Sequence, residues 1–325
     1  MTTIKFLLVA WLKRSSKATK TGGFTLIELL IAIVMAVLII TPLMGVAISI
    51  LDTNRKEQAQ VTSEQEVQAG LDYIARDLQQ AIYIYDADGV AAIRDQIPTD
   101  DDQEPVLVFW KRKVVPDSLP YGRDANECCN DAYVYSLVVY YLIKDNNQTW
   151  SNTARIARFE VSDGVIDPFS DPDDPEYLDD YPKDEGFASF NLNEFGDIAL
   201  NMNNWQNGGN FENPTMVLID YVDDTTIAQN SDVPQEACPA NDPNDENDGN
   251  WQQVPDYDAA EVENKFKTYS FYSCISSSRN IAKVFIRGNA LARIQQNNYD
   301  FQANRTSSYP KARVEVRGTG KLRGQ

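Results

Sequence analysis

From Leu29 to Ile50 the chain runs without a single charge, and one acid, Glu28, stands immediately before that run. The apolar stretch meets the roughly 20-residue length a helix needs to cross the hydrocarbon core of a bilayer. A carboxylate at the edge of such a span is under pressure. A charge at the centre of a membrane helix costs about 2.5–3.5 kcal/mol on insertion scales and less toward the ends, so it needs a cap, a partner or a task.

The local reading of Glu28 is a cap. Thr25-x-x-Glu28 ahead of an apolar run is a capping-box pattern, in which both side chains satisfy backbone donors at a helix start. That accounts for a helix beginning near residue 25 but not for the segment before it. Residues 1–23 carry Lys5, Lys13, Arg14, Lys17 and Lys20, no acid, and end in Gly22-Gly23. A basic leader followed by an apolar core has the layout of an export signal. A secretory signal is cut after its apolar core, at small residues. Here no such site lies just beyond Leu51, and the small residues come first.

Lys20-Thr21-Gly22-Gly23-Phe24-Thr25-Leu26-Ile27-Glu28 resembles the cleavage and methylation motif of type IV prepilins and type II secretion pseudopilins. The resemblance implies that prepilin peptidase cuts after Gly23 on the cytoplasmic side and that the amine of Phe24 is then methylated. It further implies a single-pass anchor in the inner (cytoplasmic) membrane, with the C-terminal head in the periplasm. The implied partners are other pilins and pseudopilins, met through the N-terminal helix, and an inner-membrane assembly platform. Glu28 would pair with the Phe24 amine of a neighbouring subunit. The apolar Ile4–Leu12 departs from the short hydrophilic leaders of the family, which bears on where the true start lies.

Composition agrees with export. The chain has 29 basic and 48 acidic residues, and without the five leader cations the balance is 24 − 48 = −24. Affinity for nucleic acid comes largely from Lys and Arg contacts to phosphate, so this balance speaks against a nucleic-acid partner. Past the anchor, residues 24–51, the residues Val67, Leu71, Ile74, Leu78 and Ile82 recur at spacings of 4, 3, 4 and 4. That stripe predicts an amphipathic stalk helix over 52–84. Asp72 and Arg76 stand four apart, placed to pair, and Pro42 and Gly45 should bend or loosen the membrane half.

Runs rich in β-branched and aromatic residues predict strands at Val106–Lys111, Tyr133–Ile143, Arg155–Val161, Thr215–Val222, Thr268–Cys274, Ile281–Ile286 and Lys311–Val316. One long initial helix followed by such strands predicts an α+β fold, the helix packed on an antiparallel sheet. The resemblance makes the head, residues 85–325, pilin-like. Leu71–Ala81 resembles, more loosely, the end of the long helix in large minor pseudopilins of the J or W type.

Two acidic tracts interrupt the strands. Residues 163–197 hold 12 acids and one lysine, and residues 220–263 hold 13 acids and no base. With Pro, Asn and Gly interspersed they read as solvated loops. The sharper alternative is calcium, which takes six to eight oxygen ligands. Asp86, Asp88, Asp242, Asp245 and Asp248 are the candidate ligands, although neither segment completes EF-hand spacing. The tail from Ile281 to Gln325 carries nine bases and two acids, suited to docking on an acidic region of a neighbour or of the same chain, or to a basic sheet face in water.

Cys128, Cys129, Cys238 and Cys274 all follow the apolar run. An even count in an exported head suggests disulfides. Adjacent cysteines close a strained ring, so pairing of the 128/129 pair with 238 and 274 is the expectation. A zinc site is the alternative, but there are no paired C-x-x-C motifs and no histidine. The lack of histidine also removes the commonest general base, and there is no G-x-S-x-G elbow or phosphate loop. No catalytic residue is nominated.

These readings converge on a non-enzymatic minor pseudopilin, placed by the bulk of its head at the tip of a pseudopilus rather than in its repeat. Ile286-Arg287-Gly288-Asn289-Ala290 with Arg313-Val-Glu-Val-Arg317-Gly-Thr-Gly320 is similar to the cyanobacterial C-type pseudopilins of hormogonium polysaccharide secretion. That would imply polysaccharide export linked to gliding motility. Two alternatives are a type II secretion pseudopilin for protein export and a membrane-anchored glycan-binding module using Trp150, Trp205 and Trp251, tryptophans that otherwise serve as core or loop anchors.

Overall fold

A computed structural model describes residues 23–120, 129–194, 196–241 and 250–320. The chain divides into two compact units, Met1–Asn54 and Arg55–Gln325. Helix α1, Leu26–Gln79, supplies the described residues of the first unit after Thr25 and continues into the second. It runs through Pro42 without interruption, even though proline has no N–H to give to the preceding turn. Thr41 Oγ1 donates to Val37 O at 2.8 Å in the same turn.

In the second unit α1 buries Ala59, Ser63, Val67, Gly70, Leu71, Ile74, Asp77 and Leu78. The stripe read from the sequence is therefore the packed face as far as Leu78. The helix stops at Gln79 and not near Ile84, and Ile82 belongs to strand β1, Ala81–Ile84. Ile82-Tyr83-Ile84 is β-branched and aromatic and buried throughout, which favours an extended backbone paired with a neighbour. Gln80 N closes the last turn on Asp77 O at 3.1 Å. The C-terminal segment then caps the helix end: Thr319 N and Oγ1 both donate to Gln79 O, at 3.1 and 2.6 Å.

After the short helix α2, Ala87–Ile93, come β2, Gln103–Leu119, β3, Asn130–Ile143, and β4, Ala154–Ser162. Helix α3, Ile198–Asn203, precedes β5, Met216–Val222. Strands β1 to β5 form one antiparallel sheet in sequence order. The second sheet takes β6, Gln252–Val254, β7, Phe271–Ser276, β8, Ile281–Arg287, and β9, Lys311–Arg317, again antiparallel and in order. The architecture is α+β, a long N-terminal helix packed with antiparallel sheets. Every predicted strand is present. Strand β1 was hidden in the helical stripe, and β6 is a three-residue strand with two glutamines.

The two sheets meet where β5 and β8 end. Asp223 N donates to Arg287 O at 3.0 Å, Asn289 N to Tyr221 O at 2.7 Å, and Val222 bridges Gly288. Helix α1 crosses this seam closely, so that a side chain at either glycine would push a neighbouring one aside. A Cβ on Gly70 would lie 2.2 Å from Ile219 Cδ1, and one on Gly288 would lie 2.8 Å from Val67 Cγ2.

The acidic tracts are not simply solvated. Within 163–197, Phe187 is buried and sets its ring edge-on to Trp110 at 5.9 Å, with Phe190 edge-on to the same indole at 5.0 Å. In the second tract Asp223 is fully buried in the sheet seam. Residues 242–249, with the calcium candidates Asp242, Asp245 and Asp248, lie outside the described residues, as does Cys128.

Cys238 is bonded to Cys274, with Cα atoms 5.5 Å apart. The expected pairing of the 128/129 pair with 238 and 274 is thus excluded. Tyr272, two residues before Cys274 on β7, straps the segment that carries Cys238: its hydroxyl donates to Glu236 O and accepts from Glu236 N, both at 2.9 Å. That brings the two thiols within bridging reach. Cys129 is also disulfide-bonded.

Gly70→Val should force methyl groups into Ile219 and lower stability by about 1–3 kcal/mol. The check is denaturant unfolding, where the midpoint should fall with little change in slope. An unchanged midpoint would show that the helix does not need its close approach at this seam.

Candidate functional site

The first turn of α1 gathers the residues singled out by sequence. Thr25 caps the helix: its Oγ1 accepts from Glu28 N at 3.3 Å and its carbonyl from Leu29 N at 3.1 Å. Half of the capping box is therefore formed. The Glu28 side chain takes no part in it, and among the described residues its carboxylate has no hydrogen-bond or ion-pair partner. Phe24 is 82% exposed, and a Cβ on Gly23 would meet nothing within 4 Å.

From Leu26 to Leu51 every large apolar side chain is between 51% and 89% exposed. The apolar residues cover all faces of the helix, not one stripe. A helix apolar all round belongs in lipid or among other apolar helices. By length and composition this helix can cross a membrane, and none of its most apolar stretch is buried. Glu28 is its lone charge in that region.

The other end of α1 holds a feature the sequence reading missed. Asp77 sits on the buried stripe beside Ile74 and Leu78, and three sheet residues meet its carboxylate. Lys111 Nζ donates to Oδ1 at 2.7 Å, while Tyr140 OH and Arg158 Nε each donate to Oδ2 at 2.8 Å. Glu160 closes the cluster, accepting from Arg158 Nη2 at 2.5 Å and lying 3.2 Å from Lys111 Nζ. Burial opposes ionisation of Glu160, but Lys111, Arg158 and Lys113 outweigh it and hold the carboxyl at about 2, against an ordinary 4.5. An acid on an otherwise apolar helical face was the available signal. Asp72, four residues before Arg76, does not pair with it as expected. Gln68 Nε2 donates to Asp72 Oδ1 at 2.9 Å, and Arg76 Nε donates to the Asp72 carbonyl at 3.2 Å.

Asp86 and Asp88 have structural tasks. Asp86 caps α2, accepting from Gly89 N at 3.0 Å, and also accepts from Ser277 Oγ. Asp88 accepts from Gln252 Nε2 at 2.7 Å and thereby ties α2 to β6. Among the described residues no group of three or more Cys, Asp or Glu side chains is placed to hold a metal ion.

Four of the nine bases of the tail are paired within the chain. Arg287 pairs with Asp223 at 2.9 Å, Lys283 with Glu315 at 3.1 Å, and Arg293 and Arg313 pair with Glu66 and Glu236. Burial pushes the Asp223 carboxyl above its ordinary range, against the pull of Arg287. Of the tryptophans, Trp205 is a core residue whose Nε1 donates to Ala188 O at 2.8 Å. Trp251 is half-buried under Lys283, and Trp150 is exposed.

Comparison with protein families, with curated proteins and with solved structures finds no match to this chain.

Because the folded state lowers the carboxyl of Glu160 from 4.5 to about 2, its contribution to stability is complete above pH 4.5. It is lost as pH falls toward 2. Glu160→Gln lacks this titration. The wild-type advantage over the variant should shrink by about 2–3 kcal/mol between pH 6 and pH 2.5. Denaturant unfolding at the two pH values measures it, and a constant difference would refute the ionic role.

Proposed function

We propose that this chain is a minor pseudopilin, a non-enzymatic subunit of a type IV pilus-like or type II secretion-like export machine. In this reading prepilin peptidase cuts after Gly23, Phe24 is methylated, and the apolar part of α1 remains as anchor and assembly helix. The observation that carries it is the Glu28 carboxylate in the first turn of an exposed apolar helix, without a partner among the described residues and with no other charge as far as Leu51, close to the exposed Phe24. The Thr25 half of the cap is made by its own hydroxyl, which accepts from the Glu28 N–H, and the carboxylate does not reach back to complete the box.

Other features support the orientation. Five cations precede the helix, and basic residues favour the cytoplasmic flank of a span. The head carries the Cys238–Cys274 bond, which persists in an oxidising compartment. The head therefore faces the periplasm and the leader the cytoplasm. The chain's partners are then the peptidase, other pseudopilins and an inner-membrane platform. Resemblance to the C-type pseudopilins assigns polysaccharide as cargo, motility as consequence and the pseudopilus tip as the subunit's place.

Two experiments test the reading. Mass spectrometry of the native amino terminus should find methylated Phe24, and Gly23→Leu should accumulate uncut precursor, because a groove that accepts glycine has no room for a side chain. An unchanged mature terminus in that variant would defeat the assignment.

The second separates cap from partner at Glu28. Gln keeps the hydrogen-bonding geometry of a capping box, so a capping role predicts normal assembly of Glu28→Gln. As an ionic partner in the membrane, Glu28 leaves a neighbour's Phe24 ammonium unpaired when neutralised, at roughly 3–5 kcal/mol. The variant should be inserted and cut but should fail to cross-link to other pseudopilins. Normal cross-linking would remove the ion pair and leave the processing claim standing.

A further inference from the structure

A cleft of about 360 Å³ opens at the β4–β5 edge, between the loop that carries Trp150, Tyr221 on β5, and the turn at Arg293–Gln296. Its floor is a β-bulge. Ala154 pairs with Val222 and Ile156 with Ile219, so Asp220 and Tyr221 together oppose the single residue Arg155. Tyr221 has φ +56°, a conformation a bulky residue adopts only when its surroundings enforce it. Bulges re-aim side chains, and this one does two things. Tyr221 turns its ring beneath the Arg293 guanidinium, 4.1 Å from the centroid. Asp220 pins the neighbouring loop: its carboxylate accepts from Ser151 N at 3.0 Å and Ser151 Oγ at 2.6 Å.

The pinned loop presents Trp150, 40% exposed, at the cleft. Around it the polar groups are neutral. Among the described residues the side chains of Asn152 and Gln296 make no hydrogen bond. Among the described residues Arg293 is the one charged residue lining the cleft, and it is held by Ser63 Oγ at 2.8 Å and by Glu66. In a chain of net charge −19, a cleft without free charge is a selective feature.

We propose that this cleft binds a neutral saccharide chain. A pyranose ring offers a face of C–H groups that lies against the exposed indole, whose broad apolar body suits such contact. Its hydroxyls both donate and accept, as do the primary amides of Asn152 and Gln296. A phosphate or carboxylate finds no unmatched cation here, and an alkyl chain would leave both amides unpaired. A small open cleft with one aromatic surface and a few placed polar groups suits a short stretch of a longer chain. As a contact with exported cargo the proposal rests on the secretion reading above; as a binding site it stands on the cleft.

The test is affinity electrophoresis of the full chain in detergent micelles, through gels containing dextran, laminarin or galactomannan. At least one glycan should retard the protein. Trp150→Ala should weaken that binding about 3- to 10-fold, and Gln296→Ala about twofold or more. Near-UV circular dichroism from the buried Trp110 and Trp205 should show both variants folded. No retardation by any of the three glycans, or equal retardation of Trp150→Ala, would overturn the site. So would equally tight binding of an unstructured Ser/Pro peptide. The amino terminus is mapped in the same preparation. A methylated Phe24 without retardation defeats the cleft alone, whereas retardation of a protein never cut at Gly23 defeats the secretion reading alone.

Discussion

Asp77 is the constraint on which the packing of the second unit turns. A carboxylate on the buried face of a helix cannot be left without partners, because an unpaired buried charge is far less favourable than a paired one. The sheet answers with Lys111, Tyr140 and Arg158 at hydrogen-bond distance. Ion pairs of this kind add little net stability over a well-packed apolar alternative. Their consequence is geometric: helix α1 seats on the sheet at the rotation that delivers Asp77 to those donors. Gly70 and Gly288 then permit the close crossing seen about two to three turns earlier.

A second buried pair does the same for the two sheets. Arg287 donates to Asp223 at 2.9 Å and to the carbonyls of Thr268, Tyr269 and Pro234 at 2.7, 3.0 and 3.1 Å. Its guanidinium is thereby nearly saturated, which is how a charge is tolerated in a closed interior. The seam it closes lies beside the bulge that turns Tyr221. The cleft proposed to hold a saccharide is thus built on backbone fixed by both sheets, with Arg293 reaching back to Ser63 and Glu66 of α1.

The first unit obeys a different logic. From Leu26 to Leu51 its large apolar side chains are all exposed, and Glu28 has no partner among the described residues. The head is the reverse, with four bases of its tail and several of its acids matched internally. Under the proposed function the two halves divide the labour: one makes contacts with lipid and other subunits, the other carries a closed, self-sufficient fold.

The sequence alone determined what depends on near neighbours along the chain. The apolar run, the Thr25 cap, the stripe from Val67 to Leu78 and the strands rich in Val, Ile and Tyr each follow from spacing within a few residues, because helical and extended backbones repeat over that range. Tertiary structure decided what depends on distant partners. Asp77 meets residues 34, 63 and 81 positions away, so its role was visible only as an acid out of place on an apolar face. Residues 81–84 fit the helical stripe by period, and became a strand because β2 offered a pairing edge. Cys238 found Cys274 because Tyr272 straps one segment over the other, and the bulge at Asp220–Tyr221 arises from register with β4. Local periodicity is written in side-chain order, whereas register and long-range pairing are settled only when the strands and the helix close on one another.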